Sequence, residues 1–109
     1  MEPRAIPAIK VYTTGYTDVR TGHQPPARTT FSRNEMVVAI VWSADARPRS
    51  VLVEMLRISD NSLVYKQLVS AHSGLYKICG PDKPLAPGNY SVRISEDGRL
   101  LDAANFAVF

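Results

Sequence analysis

Residues 84–109, Pro84-Leu-Ala-Pro-Gly-Asn-Tyr-Ser-Val-Arg-Ile-Ser-Glu-Asp-Gly-Arg-Leu-Leu-Asp-Ala-Ala-Asn-Phe-Ala-Val-Phe109, decide the fold class. Pro87-Gly88 is a turn, and glycine is what a chain needs to bend sharply into a strand. Residues 89–95 then read as a strand. Glu96-Asp97-Gly98 is a hairpin turn, because Asp-Gly supplies the positive backbone angles of a tight reversal. Residues 99–108 return as the closing strand. Phe106 and Val108 lie two apart and share one of its faces.

Working back from this hairpin, strand signals recur. Residues 6–13 read as a short first strand, with Pro7 placing it at a sheet edge or making it start late. Residues 35–43 are a strong strand in which Met36 to Trp42 are all apolar. Residues 50–58 and 63–70 form a hairpin through Ser59-Asp60-Asn61-Ser62, residue types that bond their own backbone and tolerate left-handed angles. Residues 74–79 are a shorter strand, and 80–88 a loop rich in proline. Seven strands at spacings of roughly ten residues, with turn signals between them, describe an antiparallel β-sandwich. No segment shows a capped helical period. The chain reads as one domain, 1–109, carrying a long irregular segment at 14–33 that Gly15, Gly22 and Pro25-Pro26 keep from being helical.

Three stretches carry a resemblance. Phe31-Ser-Arg-Asn-Glu-Met-Val-Val38, Leu85-Ala-Pro-Gly-Asn-Tyr-Ser-Val-Arg-Ile94 and Asn105-Phe-Ala-Val-Phe109 resemble a pattern in immunoglobulin-like and fibronectin-III-like modules, which often occur in bacterial extracytoplasmic proteins. The likeness covers about residues 31–109 and lies at the level of the fold. It implies that Tyr90 buries its ring while its hydroxyl bonds loop backbone, as in a tyrosine corner. The paired cysteines of antibody domains are absent. That departure points to a fibronectin-like or bacterial module, and the resemblance favours a periplasmic or extracellular site of action.

Composition excludes several classes. Apolar residues make up 45% and charged residues 21%, as in ordinary globular domains. The net charge of +3 comes from thirteen scattered Lys and Arg with no basic run, so the pattern of a nucleic-acid tail is missing. The single Cys79 makes no intrachain disulfide and no cysteine-based zinc site. No run approaches the roughly eighteen apolar residues of a membrane span. Met1-Glu-Pro-Arg4 lacks the pattern of a signal peptide. On this reading either the chain is cytoplasmic, or a leader or neighbouring domain has been removed.

Catalytic signals are weak. His23 and His72 fall in loops, Cys79 reads as a buried thiol rather than half of a Cys79–His72 dyad, and no HExxH, nucleophile elbow or phosphate-binding glycine loop occurs. The expectation is therefore a non-enzymatic module without cofactor or metal.

Two features point to binding. In an up-and-down sandwich, loops 14–33, 59–62 and 80–88 share one end, and Tyr16, Arg20, His23 and Arg28 are its natural contact residues. Segment 14–33 has a second reading, in which it crosses between the sheets in extended form and pairs partly as a strand. At the other end Arg47 and Arg49 flank Pro48 and offer guanidinium groups to phosphate or carboxylate.

The second feature is surplus apolar surface. Met36–Trp42 and Val51–Ile58 do not alternate, and continuous apolar strands imply burial on both faces. The cover would be segment 14–33, a second copy of the chain or a neighbouring domain. These readings give a β-sandwich module acting by protein–protein contact or self-association through a sheet face. The alternative is a module binding carbohydrate or a small ligand through its aromatics.

Overall fold

Met36–Trp42, where polar alternation fails, supplies the middle of a three-stranded sheet. The computed structural model describes residues 9–19, 24–71 and 76–109. Within them the strands are β1 (Ile9–Gly15), β2 (Thr30–Phe31), β3 (Val37–Ser43), β4 (Arg49–Arg57), β5 (Leu63–Ala71), β6 (Tyr76–Cys79), β7 (Gly88–Glu96) and β8 (Arg99–Val108). One sheet has the order β1-β3-β6 and the other β2-β8-β7-β4-β5. Every pairing is antiparallel except the two-residue parallel contact of β2 with β8. Among the described residues no helix is long and apolar enough to cross a membrane.

The all-β sandwich read from the sequence is the observed architecture, with eight strands in place of about seven. The added strand is β2, which comes from segment 14–33. That segment opens with a single 3-10 turn at Tyr16–Asp18. Its later part runs along β1, where the Arg28 N–H donates to the Thr13 carbonyl at 2.8 Å and the Thr13 hydroxyl to the Arg28 carbonyl at 2.6 Å. It then pairs Thr30 and Phe31 with Ala107 and Val108. The segment is a crossing from one sheet to the other, the second of its two readings. The first strand is described from Ile9 to Gly15, two residues beyond the expected end; residues 6–8 of the expectation lie outside the described residues.

The layers meet as the pleat requires. Val37, Ala39 and Val41 of β3 and Val51, Val53 and Met55 of β4 belong to one buried cluster with Tyr90, Val92, Ile94 and Phe106. Tyr90 stacks on Phe106 with centroids 5.2 Å apart, and Phe31 meets Phe106 edge-on at 6.0 Å. Such ring geometries add about 0.5–1.5 kcal/mol each beyond the area they bury. The Tyr90 hydroxyl donates to the Ala86 carbonyl, so the expected tyrosine corner is present. Arg57 closes it from outside, its Nη2 3.3 Å from that hydroxyl.

The turns follow their residues. Asn61, Asp97 and Gly98 have φ of 57°, 51° and 79°, and Gly88 has φ of 155°. Asp60 Oδ1 accepts from both the N–H and the hydroxyl of Ser62.

The outward side of β3 is buried as well. Val38 is 4% and Ile40 0% exposed within the single chain, so the chain itself covers these two side chains, while Ile78 beside Ile40 is 46% exposed. Register places Tyr12 beside Ile40 and Thr14 beside Val38. The Tyr12 hydroxyl donates to the carbonyl of buried Pro25 at 2.9 Å, bringing the crossing segment to this side.

Candidate interaction surface

Among the described residues, the side chains singled out in the sequence lie at the two opposite ends of the sandwich. Tyr16 and Arg28 lie at the end of the sandwich that holds the 58–62 and 80–87 connections, whereas Arg47 and Arg49 lie at the other. Arg20 and His23 fall outside the described residues, as does His72.

Arg28 is an internal clasp. Its Nη1 lies 2.8 Å from both Asp18 and Glu35, and its Nη2 donates to Glu35 at 3.2 Å and to the Thr30 carbonyl at 3.3 Å. The guanidinium also stands 4.9 Å over the Phe31 ring. These bonds, with one from the Ser32 N–H, pull the Glu35 carboxyl down to about 2. The charge is spent on fixing the crossing segment.

Arg49 makes a two-pronged contact with Glu96, Nε at 3.0 Å and Nη2 at 2.6 Å, with Asp45 at 3.7 Å. This pairing holds β4 beside the β7–β8 turn and keeps the Glu96 carboxyl below its ordinary range. Arg47 is exposed, and its backbone N–H caps the Asp45 carboxylate. Tyr16 is 58% exposed on its 3-10 turn.

Cys79 is buried, as expected of a core thiol, and burial raises it above the usual thiol range. The Tyr65 phenol beside it is pushed up to about 12, first by burial and then by the thiol. Among the described residues no three His, Cys, Asp or Glu side chains are grouped to hold a metal.

The strand 51–58, singled out in the sequence for its surplus apolar residues, lies within the five-stranded sheet and contributes to that sheet's outer face. Register sets Leu68 beside Leu52, Leu52 beside Ser95, and Ser95 beside Leu100, one row across β5, β4, β7 and β8. The next row is Lys66, Glu54, Arg93 and Ala103. Leu68 is 66% and Leu100 59% exposed. Together with Ser50, Leu52, Glu54 and Arg93 they line an open depression of about 620 Å³.

Glu54 lies on the outward side of the pleat. It lies between Lys66 and Arg93. Leu100 reaches this face because the β7–β8 register shifts between Ile94 and Ser95, leaving Leu101 to pack against the core. That shift has no counterpart in the residue pattern, so sequence alone assigns Leu100 to neither face. Leu68 falls in the strand expected at 63–70, and nothing in the sequence set it beside Leu52.

No protein-family model and no curated protein matches the sequence. Solved structures do match in shape. An immunoglobulin-like protein from Pseudomonas aeruginosa superposes with a TM-score of 0.58 at 11% identity, over 96% of this chain and 98% of its own. The CARDB domain of a Pyrococcus furiosus protein, crystallised in complex with di-metal ions, gives a TM-score of 0.54 at 14% identity, over 94% of this chain and 89% of that one. At such identities the likeness shows the fold: this chain is an immunoglobulin-like β-sandwich.

Proposed function

We propose that the chain is a non-catalytic β-sandwich module that acts through protein–protein contact, with the outer face of its five-stranded sheet as the contact surface. It would serve as a subunit of an assembly or as an accessory domain of a larger extracytoplasmic protein. The observation that carries this reading is the Leu68–Leu52–Ser95–Leu100 row, whose end leucines are more than half exposed. An antiparallel sheet with one solvated face ordinarily turns polar residues to water. Apolar side chains grouped on that face and bordered by charges mark a protein contact site. The Lys66–Glu54–Arg93 row supplies the polar border that gives such a surface its orientation.

Leu100→Glu tests this with little risk to the fold, since the side chain is exposed. Affinity capture from the source cell should retain a protein on the wild-type chain and lose it on the variant. Identical retention by both contradicts the reading.

A second reading rests on the three-stranded sheet, where the alternative of a carbohydrate- or small-ligand-binding module finds support. Tyr12, Trp42 and Tyr76 come from three adjacent strands on its outward side, Trp42 and Tyr76 as direct neighbours, and all three are half-buried. Flat rings with a polar edge suit sugar faces. Trp42→Ala and Tyr16→Ala on a glycan array decide it. Binding lost with either variant supports this reading, and no binding by the wild type removes it.

A further inference from the structure

The contact surface proposed above runs out onto β5, and we infer that β5 pairs antiparallel with β5 of a second copy. The two five-stranded sheets then become one, about a two-fold axis at Leu68. This inference rests on the protein-contact reading of the same sheet and names its partner.

The edges of the two sheets are treated unequally. On β1 the Val11 N–H is taken by Asp102 at 3.0 Å and the Thr13 carbonyl by Arg28. β2 has two residues and β6, among the described residues, four. β5 has nine, with Leu63, Val64 and Leu68 at 48%, 36% and 66% exposure. Edge strands are ordinarily guarded by proline, bulges or several charges, because their free N–H and C=O groups recruit another strand. β5 contains no proline and one charge, Lys66. Its irregularity lies toward Leu63, where the pairing with β4 shifts between Met55 and Leu56.

The pattern of β5 is self-complementary, and this favours a copy of the chain as the occupant. A two-fold pairing that keeps both cores on the same side must set outward residues against outward residues. Centred on Lys66, it would set two ammonium groups face to face. Centred on Leu68, it sets Leu68 against Leu68 and Lys66 against Ser70 of the other copy. The apolar row then reads Leu52–Leu68–Leu68–Leu52 across the junction, and each Lys66 keeps its own Glu54 on one side and gains a hydroxyl on the other. Such isologous pairing is closed, so it yields a dimer and not a filament.

Cysteine cross-linking tests the register. Directly opposed residues have Cβ atoms roughly 4.5–5.5 Å apart, close to disulfide reach. Leu68→Cys should link to itself under mild oxidation, and Lys66→Cys should link to Ser70→Cys in a mixture but not to itself. Wild-type chain, whose Cys79 is buried, should not link. Sedimentation should show the 12.0 kDa chain doubling in mass with rising concentration, and Leu68→Lys should need at least tenfold more protein to do so.

A wild type that stays monomeric at every concentration, or a dimer indifferent to Leu68→Lys, overturns the pairing. So does a Lys66→Cys self-link at the expense of Leu68→Cys. Leu100 lies three strands from the junction. Capture lost with Leu100→Glu from a strictly monomeric chain therefore overturns this pairing while leaving the broader contact reading in place.

Discussion

At the residue scale, Tyr90 does more than fill space. Its ring stacks on Phe106, and its hydroxyl holds the Ala86 carbonyl and receives Arg57. Tyr90→Phe keeps the packing and removes the bond to the carbonyl. A part-buried hydrogen bond of this kind contributes about 1 kcal/mol, with no further penalty because Ala86 is exposed and water can reach its carbonyl. The denaturation midpoint of Tyr90→Phe should fall accordingly with an unchanged slope; an unaltered midpoint would deny the corner any energetic role.

Glu35 gives a residue-scale prediction with a sign. Its carboxyl sits at about 2 against an ordinary 4.5, chiefly because it accepts from Arg28 and then from the Ser32 N–H. A depressed carboxylate contributes stability that is present above its unfolded value and lost as pH falls through the folded one. Acid should therefore loosen the crossing segment between about pH 4.5 and 2, while Glu35→Gln is indifferent over that window. Both partners are about a third exposed, 34% and 33%, so the contribution is about 1 kcal/mol or less after solvent screening. Hydrogen exchange at residues 28–36 across that range measures it.

At the scale of elements, the β7–β8 hairpin turns on Asp97 and Gly98, both at positive φ. Gly98→Ala places a side chain in a left-handed conformation and should cost about 1 kcal/mol, read as a lower melting temperature. An equal or higher value would mean that the turn relaxes freely.

This hairpin was legible because turn residues and period-two strands agree in it. β3 was legible as doubly buried because seven apolar residues leave no polar side. That part of 14–33 pairs as a strand was one of its two readings, but the place of that pairing at Thr30–Phe31 was not legible, since two residues carry no period and their parallel partner lies more than seventy positions away. Arg28 and Arg49 attracted attention as arginines in loops. Whether such a charge faces a ligand or a carboxylate of its own chain depends on the fold bringing Glu35 or Glu96 alongside, and sequence spacing does not reveal that.

At the scale of the molecule, the two sheets handle their outer faces in opposite ways. The three-stranded sheet buries Val38 and Ile40 under its own chain. The five-stranded sheet leaves Leu68 and Leu100 exposed and ends on the nine-residue edge strand β5. The three-stranded layer covers Val38 and Ile40 within the monomer, and on the pairing proposed above the five-stranded layer is completed by a neighbour. Hydrogen exchange followed over a range of protein concentrations tests this most directly. The account predicts that amide protection grows with concentration across residues 63–71 while β1 and β3 stay constant. Exchange in 63–71 that is the same at every concentration, or new protection confined to residues 24–36, would contradict it.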